Sequence, residues 1–124
     1  MPSPAIPWPT VLDTLTTHRP VVIVSNMPAQ ELIRRRVTLA SDAFADIVVW
    51  QLRQPVPGCP HAFKYRLALV VKGVCVLRYD NETGKGDHRH AGNAEVPYGF
   101  SSPRQLVADF MNDVRRWQDE HGHA

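Results

Sequence analysis

The sequence predicts an α+β domain: an antiparallel meander sheet of about four or five strands with a C-terminal helix packed on one face. Three observations point there. Phe63, Tyr65, Leu67, Leu69 and Val71 alternate with Lys64, Arg66, Ala68, Val70 and Lys72, the period of two that puts one set on a core. Lys72-Gly73 reads as a tight turn into a second run, Val74 to Asp80, making a β-hairpin. Residues 102–118 then carry Leu106, Phe110, Val114 and Trp117 at helical spacing, with Val107 and Met111 widening the stripe.

Each element has its own signal. Six of the eleven prolines fall in residues 1–30, so this stretch reads as a proline-rich N-terminal extension whose first nine residues form an extended arm. Within it, Val11 to Thr17 reads as a short helix and Val21 to Ser25 as a short strand. The remainder, 31–120, reads as a single domain. Leu32 to Ala40 is its first strand, Ser41-Asp42 a polar break, and Phe44 to Arg53 the second strand. Three prolines and Gly58 between Gln54 and Pro60 exclude a continued strand. Asp80-Asn81 ends the strand that begins at Val74. For the helix, Ser102 is the N-cap and Pro103 takes the first helical position, where a missing N–H costs nothing.

Composition excludes several classes. With 124 residues, 21% charged and 44% hydrophobic, the chain fits one globular domain rather than a disordered one. No apolar run reaches the roughly 18 residues of a membrane span, so no membrane partner is expected. No leader pattern is seen at the N-terminus, and a cytoplasmic location is expected. Cys59 and Cys75 match neither a disulfide framework nor a zinc-ligand spacing. From Glu31 to His90 there are ten Lys and Arg against six acids, whereas beyond His90 there are three against five. A basic centre suits a polyanion and also suits a solvated sheet face.

The segment from Arg78 to His90 concentrates the chemistry, with three acids, two histidines and two glycines. It reads as a glycine-rich loop in which Gly84 and Gly86 let the backbone approach a ligand. On an extended stretch His88 and His90 point the same way, roughly 6.5–7 Å apart. Three readings stay open. The first is metal-independent phosphodiester chemistry, in which an imidazole takes or gives a proton while Lys85, Arg89 and Arg78 meet the charge on phosphate. The second is a divalent-metal site of Asp80, Asp87, His88 and His90. The third is a solvated hairpin loop. Lys64 and Arg66, with Arg34 and Arg36, suit a phosphate-binding surface and equally a plain solvated face; His61, in the proline loop, reads as structural or solvated. Tyr65, Tyr79 and Tyr98 suit base stacking or packing.

A family resemblance bears on this choice. Trp50-x-Leu52, then Pro55-x-Pro57-Gly58-x-Pro60-His61-x-x-Lys64-Tyr65-Arg66-Leu67, then Tyr79-Asp80-Asn81-x-x-Gly84-Lys85-Gly86-Asp87-His88-Arg89-His90, resemble the TumE family of toxin–antitoxin toxins. Tyr98-x-Phe100 and Asp109-Phe110 fit as well, over about residues 31–117. The resemblance implies a small prokaryotic toxin silenced by a helix-turn-helix antitoxin. It carries over Asp80, Asn81, Lys85, Asp87, His88 and His90, and it raises His61.

The expectation is therefore a ribonuclease-type toxin acting on RNA without a cofactor or metal. His88, His90, Lys85, Asp80 and Asp87 are its catalytic set; Arg78, Arg89, Asn81, Lys64, Arg66 and His61 bind substrate. A homodimer is compatible with this. The alternatives are a non-catalytic module that binds a helix-turn-helix partner, and a metal-dependent nuclease.

Overall fold

The computed structural model describes residues 21–24, 27–82 and 84–121. The expected arm and the helix at Val11 to Thr17 lie outside them. Among the described residues one antiparallel sheet runs in chain order: β1 (Val21–Val24), β2 (Met27–Ala40), β3 (Ala43–Leu52), β4 (Phe63–Val71), β5 (Val74–Glu82), β6 (Gly86–Ala91) and β7 (Ala94–Pro97). A single helix, α1 (Pro103–Glu120), follows. The α+β meander with a C-terminal helix is as predicted, but the seven strands exceed the expected four or five.

The extra strands have physical reasons. β2 starts at Met27 rather than Leu32, because its first residues pair with β1, the short strand read at Val21 to Ser25. Together β1 and the first residues of β2 place sheet ahead of residue 31. β5 does not stop at Asp80-Asn81 but continues to Glu82, since the Asn81 side chain replaces water with tertiary hydrogen bonds. The supposed loop 80–90 is a hairpin of β5 and β6, and a second hairpin joins β6 to β7.

Lys72 and Gly73 both take positive φ, 52° and 78°, the geometry of a two-residue hairpin turn matched to strand twist. Ser102 caps α1 by accepting from the Gln105 N–H at 3.1 Å, with Pro103 just inside. The buried face of α1 (Leu106, Val107, Phe110, Met111 and Val114) lies in one core with Ile47, Val49, Tyr65, Leu67, Leu69 and Tyr79. Fully burying side chains of this size contributes roughly 1.5–3 kcal/mol each before entropy is counted. A smaller cluster of Ala29, Leu52, Val56 and Cys59 anchors the proline loop. That loop folds back on the β5–β6 turn, where the Gly84 N–H donates to the Pro57 carbonyl at 2.7 Å. A Cβ on Gly86, at φ 78°, would meet the Gly58 carbonyl oxygen at 3.2 Å. The close approach that Gly86 permits is thus to the chain's own proline loop, not to a ligand.

Candidate functional site

Strand alternation sorts the polar segment onto two sides of the sheet. Tyr79 on β5 and Arg89 on β6 reach the helix, both bonding Asp113 of α1. Their neighbours Arg78, Asp80, His88 and His90 therefore face the other side, which carries no helix among the described residues. Cross-strand pairing aligns these groups into two adjacent rows. One runs Arg34, Val48, Arg66, Asp80, His88, Pro97; the next runs Arg36, Asp46, Ala68, Arg78, His90, Glu95. Arg34 and Arg36 of β2, ion-paired at 2.7 Å with Glu31 and Asp46, and the exposed Arg66 of β4 thus lead across the sheet to an imidazole–carboxylate cluster.

In that cluster the His88 and His90 rings lie 4.9 Å apart, edge to face, closer than the extended-strand expectation. His88 is 4% exposed and Asp80 9%. His88 Nδ1 is 3.0 Å from the Gly86 carbonyl oxygen. A carbonyl only accepts, so Nδ1 holds the proton. His88 Nε2 then faces Asp80 Oδ1 at 2.9 Å, Glu95 Oε2 at 3.4 Å and Glu82 Oε1 at 3.5 Å. Neither His88 Nε2 nor Asp80 Oδ1 has an aligned hydrogen-bond partner, although both are buried. On the other ring, Arg78 Nη2 donates to His90 Nε2 at 3.0 Å. Guanidinium cannot accept, so His90 Nε2 presents a lone pair. Arg78 Nε also sits 3.1 Å from Asp80 Oδ2, and Lys85 reaches the rim, 3.8 Å from Glu82 and 3.9 Å from Glu95.

The grouping read from sequence needs correcting at several residues. Asp87 and Arg89 do not join the histidines. Asp87 accepts from the Tyr65 hydroxyl at 2.6 Å and from His61 Nε2 at 2.7 Å on the helix side. Arg89 pairs with Asp113 at 2.7 Å, a bond that raises its already high pKa. Asn81 is fully buried and spends its amide on β4: Oδ1 accepts from the Tyr65 N–H and Nδ2 donates to the Phe63 carbonyl. Lys64 donates to the Asn81 carbonyl. Arg66 alone of that β4 pair projects into open solvent, opposite Asp80.

Two sets of metal-ligating side chains exist among the described residues: Asp80, His88, His90, and Cys59, His61, Asp87. The second is internally satisfied. His61 Nδ1 accepts from the Phe63 N–H while its Nε2–H donates to Asp87, and its ring stacks on Phe100 at 3.9 Å. Burial, then the Asp87 charge, pushes the Cys59 thiol pKa up and keeps it protonated. The tyrosines are packing groups: burial and a carboxylate partner raise the phenol pKa of Tyr65 (Asp87), Tyr79 (Asp113) and Tyr98 (Asp109).

Sequence reasoning missed Glu95 and Asp113. For Glu95 a signal was present: Gly92-Asn93 is a two-residue hairpin turn that brings β7 beside β6. An open groove of about 650 Å³ also lies on the helix side, between the end of α1 and β5–β6, and includes Leu77, Arg89 and Trp117. The imidazole cluster does not line it.

The fold and site together describe a small α+β domain with a basic sheet face and a buried polar centre. A family model described as "Toxin TumE" matches residues 12–118, and the chain belongs to this toxin family. The match starts earlier in the chain than the resemblance at 31–117. No curated protein and no solved structure matches the chain. Among the described residues, no helix is long and apolar enough to cross a membrane.

Proposed function

We propose that this TumE-family toxin cleaves RNA on the sheet face opposite α1, with Asp80, His88 and His90 as the reacting centre. The observation that carries the reading is the pair of cross-strand rows, which run from Arg34 and Arg66 to His88, and from Arg36 through Arg78 to His90. A polyanion lying along them meets the Arg66 guanidinium, draws Arg34 and Arg36 from Glu31 and Asp46, and reaches the imidazoles at the end.

The reaction is transfer within the strand. The ribose 2′-oxygen attacks phosphorus, its proton passes to the cluster, and the bond to the 5′-oxygen breaks as that oxygen takes a proton. The products are a 2′,3′-cyclic phosphate and a 5′-hydroxyl. Arg78 and Lys85, at the rim, meet the charge that builds on the phosphate oxygens. In this reading Arg89, Asp87, Asn81 and His61 support the fold and the position of β6 rather than touch substrate. A helix-turn-helix antitoxin is the partner that silences the toxin.

The test is cleavage of RNA by the purified full-length chain. His88→Ala with His90→Ala is expected to lower the rate by at least about 10²-fold. A deoxyribose at the cleaved position should block the reaction. Full growth arrest by the double variant would overturn the assignment and favour action by occupancy.

A further inference from the structure

We infer that Asp80, His88 and His90, closed by Glu95, form a binding site for a divalent first-row transition-metal ion. The inference deepens the RNA-cleavage reading and rests on it for its catalytic consequence, though ion binding itself is measurable without RNA.

Electron-rich atoms converge on the centre of the cluster. The proton of His88 is committed to the Gly86 carbonyl, so its Nε2 lone pair points inward. The Arg78 N–H fixes His90 in the tautomer whose Nε2 carries a lone pair, held by the guanidinium itself. Asp80 Oδ1 completes a set of electron-rich atoms, two of which are buried without an aligned hydrogen bond. Such a convergence is stabilised by a proton on His88 Nε2 or by a metal ion held between the atoms, and the spacing distinguishes the second.

The spacing fits an ion. Four ligands at 2.0–2.1 Å from a tetrahedral zinc stand roughly 3.3–3.4 Å from one another. Four of the six separations are 2.9 Å (His88 Nε2 to Asp80 Oδ1), 3.4 Å (His88 Nε2 to Glu95 Oε2), 3.6 Å (His90 Nε2 to Glu95 Oε2) and 4.0 Å (His90 Nε2 to Asp80 Oδ1). Glu82 stands by as a further oxygen donor, 3.5 Å from His88 Nε2. The Nδ1–H bond to Gly86 is the outer support that metal-bound histidines usually have. Two imidazoles favour zinc, copper, iron or nickel over magnesium, calcium or manganese. Bound zinc lowers the pKa of its water to about 7, so in the RNA reaction an ion-held hydroxide takes the 2′-OH proton and becomes water.

Arg78 is the competing cation. Its guanidinium covers the His90 lone pair that the ion needs, and Asp80 Oδ2 at 3.1 Å offers it an alternative partner.

The test strips the full-length chain with chelator and titrates it with Zn²⁺, using Mg²⁺ as control, by calorimetry; Co²⁺ loading is followed by its four-coordinate absorption. One Zn²⁺ per chain is expected, with little Mg²⁺ bound. Asp80→Asn and His88→Gln should weaken binding at least about tenfold to a hundredfold. Cys59→Ser and His61→Ala should bind as the parent does. If His88→Gln fails to fold, His90→Gln and Glu95→Gln, at the partly exposed rim, replace it with the same expectation. Arg78→Ala should tighten binding. No Zn²⁺ bound, binding indifferent to the ligand substitutions, or weaker binding by Arg78→Ala would each overturn the site. The two readings fail separately. Ion binding without RNA cleavage removes only the cleavage reading; histidine-dependent cleavage undiminished by chelator removes only the ion.

Discussion

His88 Nε2 and Asp80 Oδ1 face each other across β6 and β5 at 2.9 Å, close enough for a hydrogen bond yet without the alignment of one. The pair is buried at the end of a row that begins with exposed arginines. In the proposed RNA-cleavage reading, that gradient, from exposed arginines to a dry centre, separates substrate capture from chemistry along one sheet face.

Capture and packing should respond to different arginines. Arg66→Ala is expected to weaken RNA binding and to lower the log–log salt slope by about 0.7, the value for one single-strand phosphate contact. Arg89→Ala, on the helix side, should leave that slope unchanged and lower stability modestly, because Asp113 loses its half-buried guanidinium partner and keeps Tyr79 and the exposed Arg116. Anisotropy titrations across salt, paired with urea melts, separate the two outcomes.

Asn81→Ala should destabilise strongly. It leaves the Tyr65 N–H and the Phe63 carbonyl without partners in the interior, at about 1–3 kcal/mol for each orphaned group. The urea midpoint checks this. An unchanged midpoint would mean that water replaces the amide.

Gly86→Ala should injure both fold and site. A φ of 78° costs a residue with a Cβ about 1–2 kcal/mol, and the added methyl crowds the Gly58 carbonyl. Because the Gly86 carbonyl orients His88, RNA cleavage should fall further than the loss of folded protein explains. The readout is activity per folded molecule.

Alkali should unfold the protein cooperatively. Tyr65, Tyr79 and Tyr98 all have raised phenol pKa values, so the fold holds the neutral forms. Their contribution is complete below about pH 10, where unfolded tyrosines are still protonated, and is lost as pH rises beyond it. Tyrosine ionisation, followed by absorbance, should coincide with loss of the far-ultraviolet signal. Tyr65→Phe should make stability less steep in this range.

Much of the fold was legible because its signals are local. The period of two in β4, the turn at Lys72-Gly73, and the cap and stripe of α1 each need only neighbouring residues. β6 was hidden because Asp87, His88, Arg89 and His90 carry no apolar alternation; its alternation is between two polar networks on opposite sides of the sheet. Asn81 resembled a strand terminator because its hydrogen-bond partners, Phe63 and Tyr65, are distant in sequence. The shared direction of His88 and His90 followed from spacing alone. Glu95 required knowing that a third strand returns beside them.

Adjacent residues on β6 serve unlike environments, and this makes the strand intolerant of a frame error. A one-residue slip between Gly86 and Ala91 would turn Asp87 and Arg89 outward and press both imidazoles into the hydrophobic interior. A single inserted or deleted codon there would abolish the toxin's polar centre and disrupt its core in one event, whereas point substitutions injure the two sides separately.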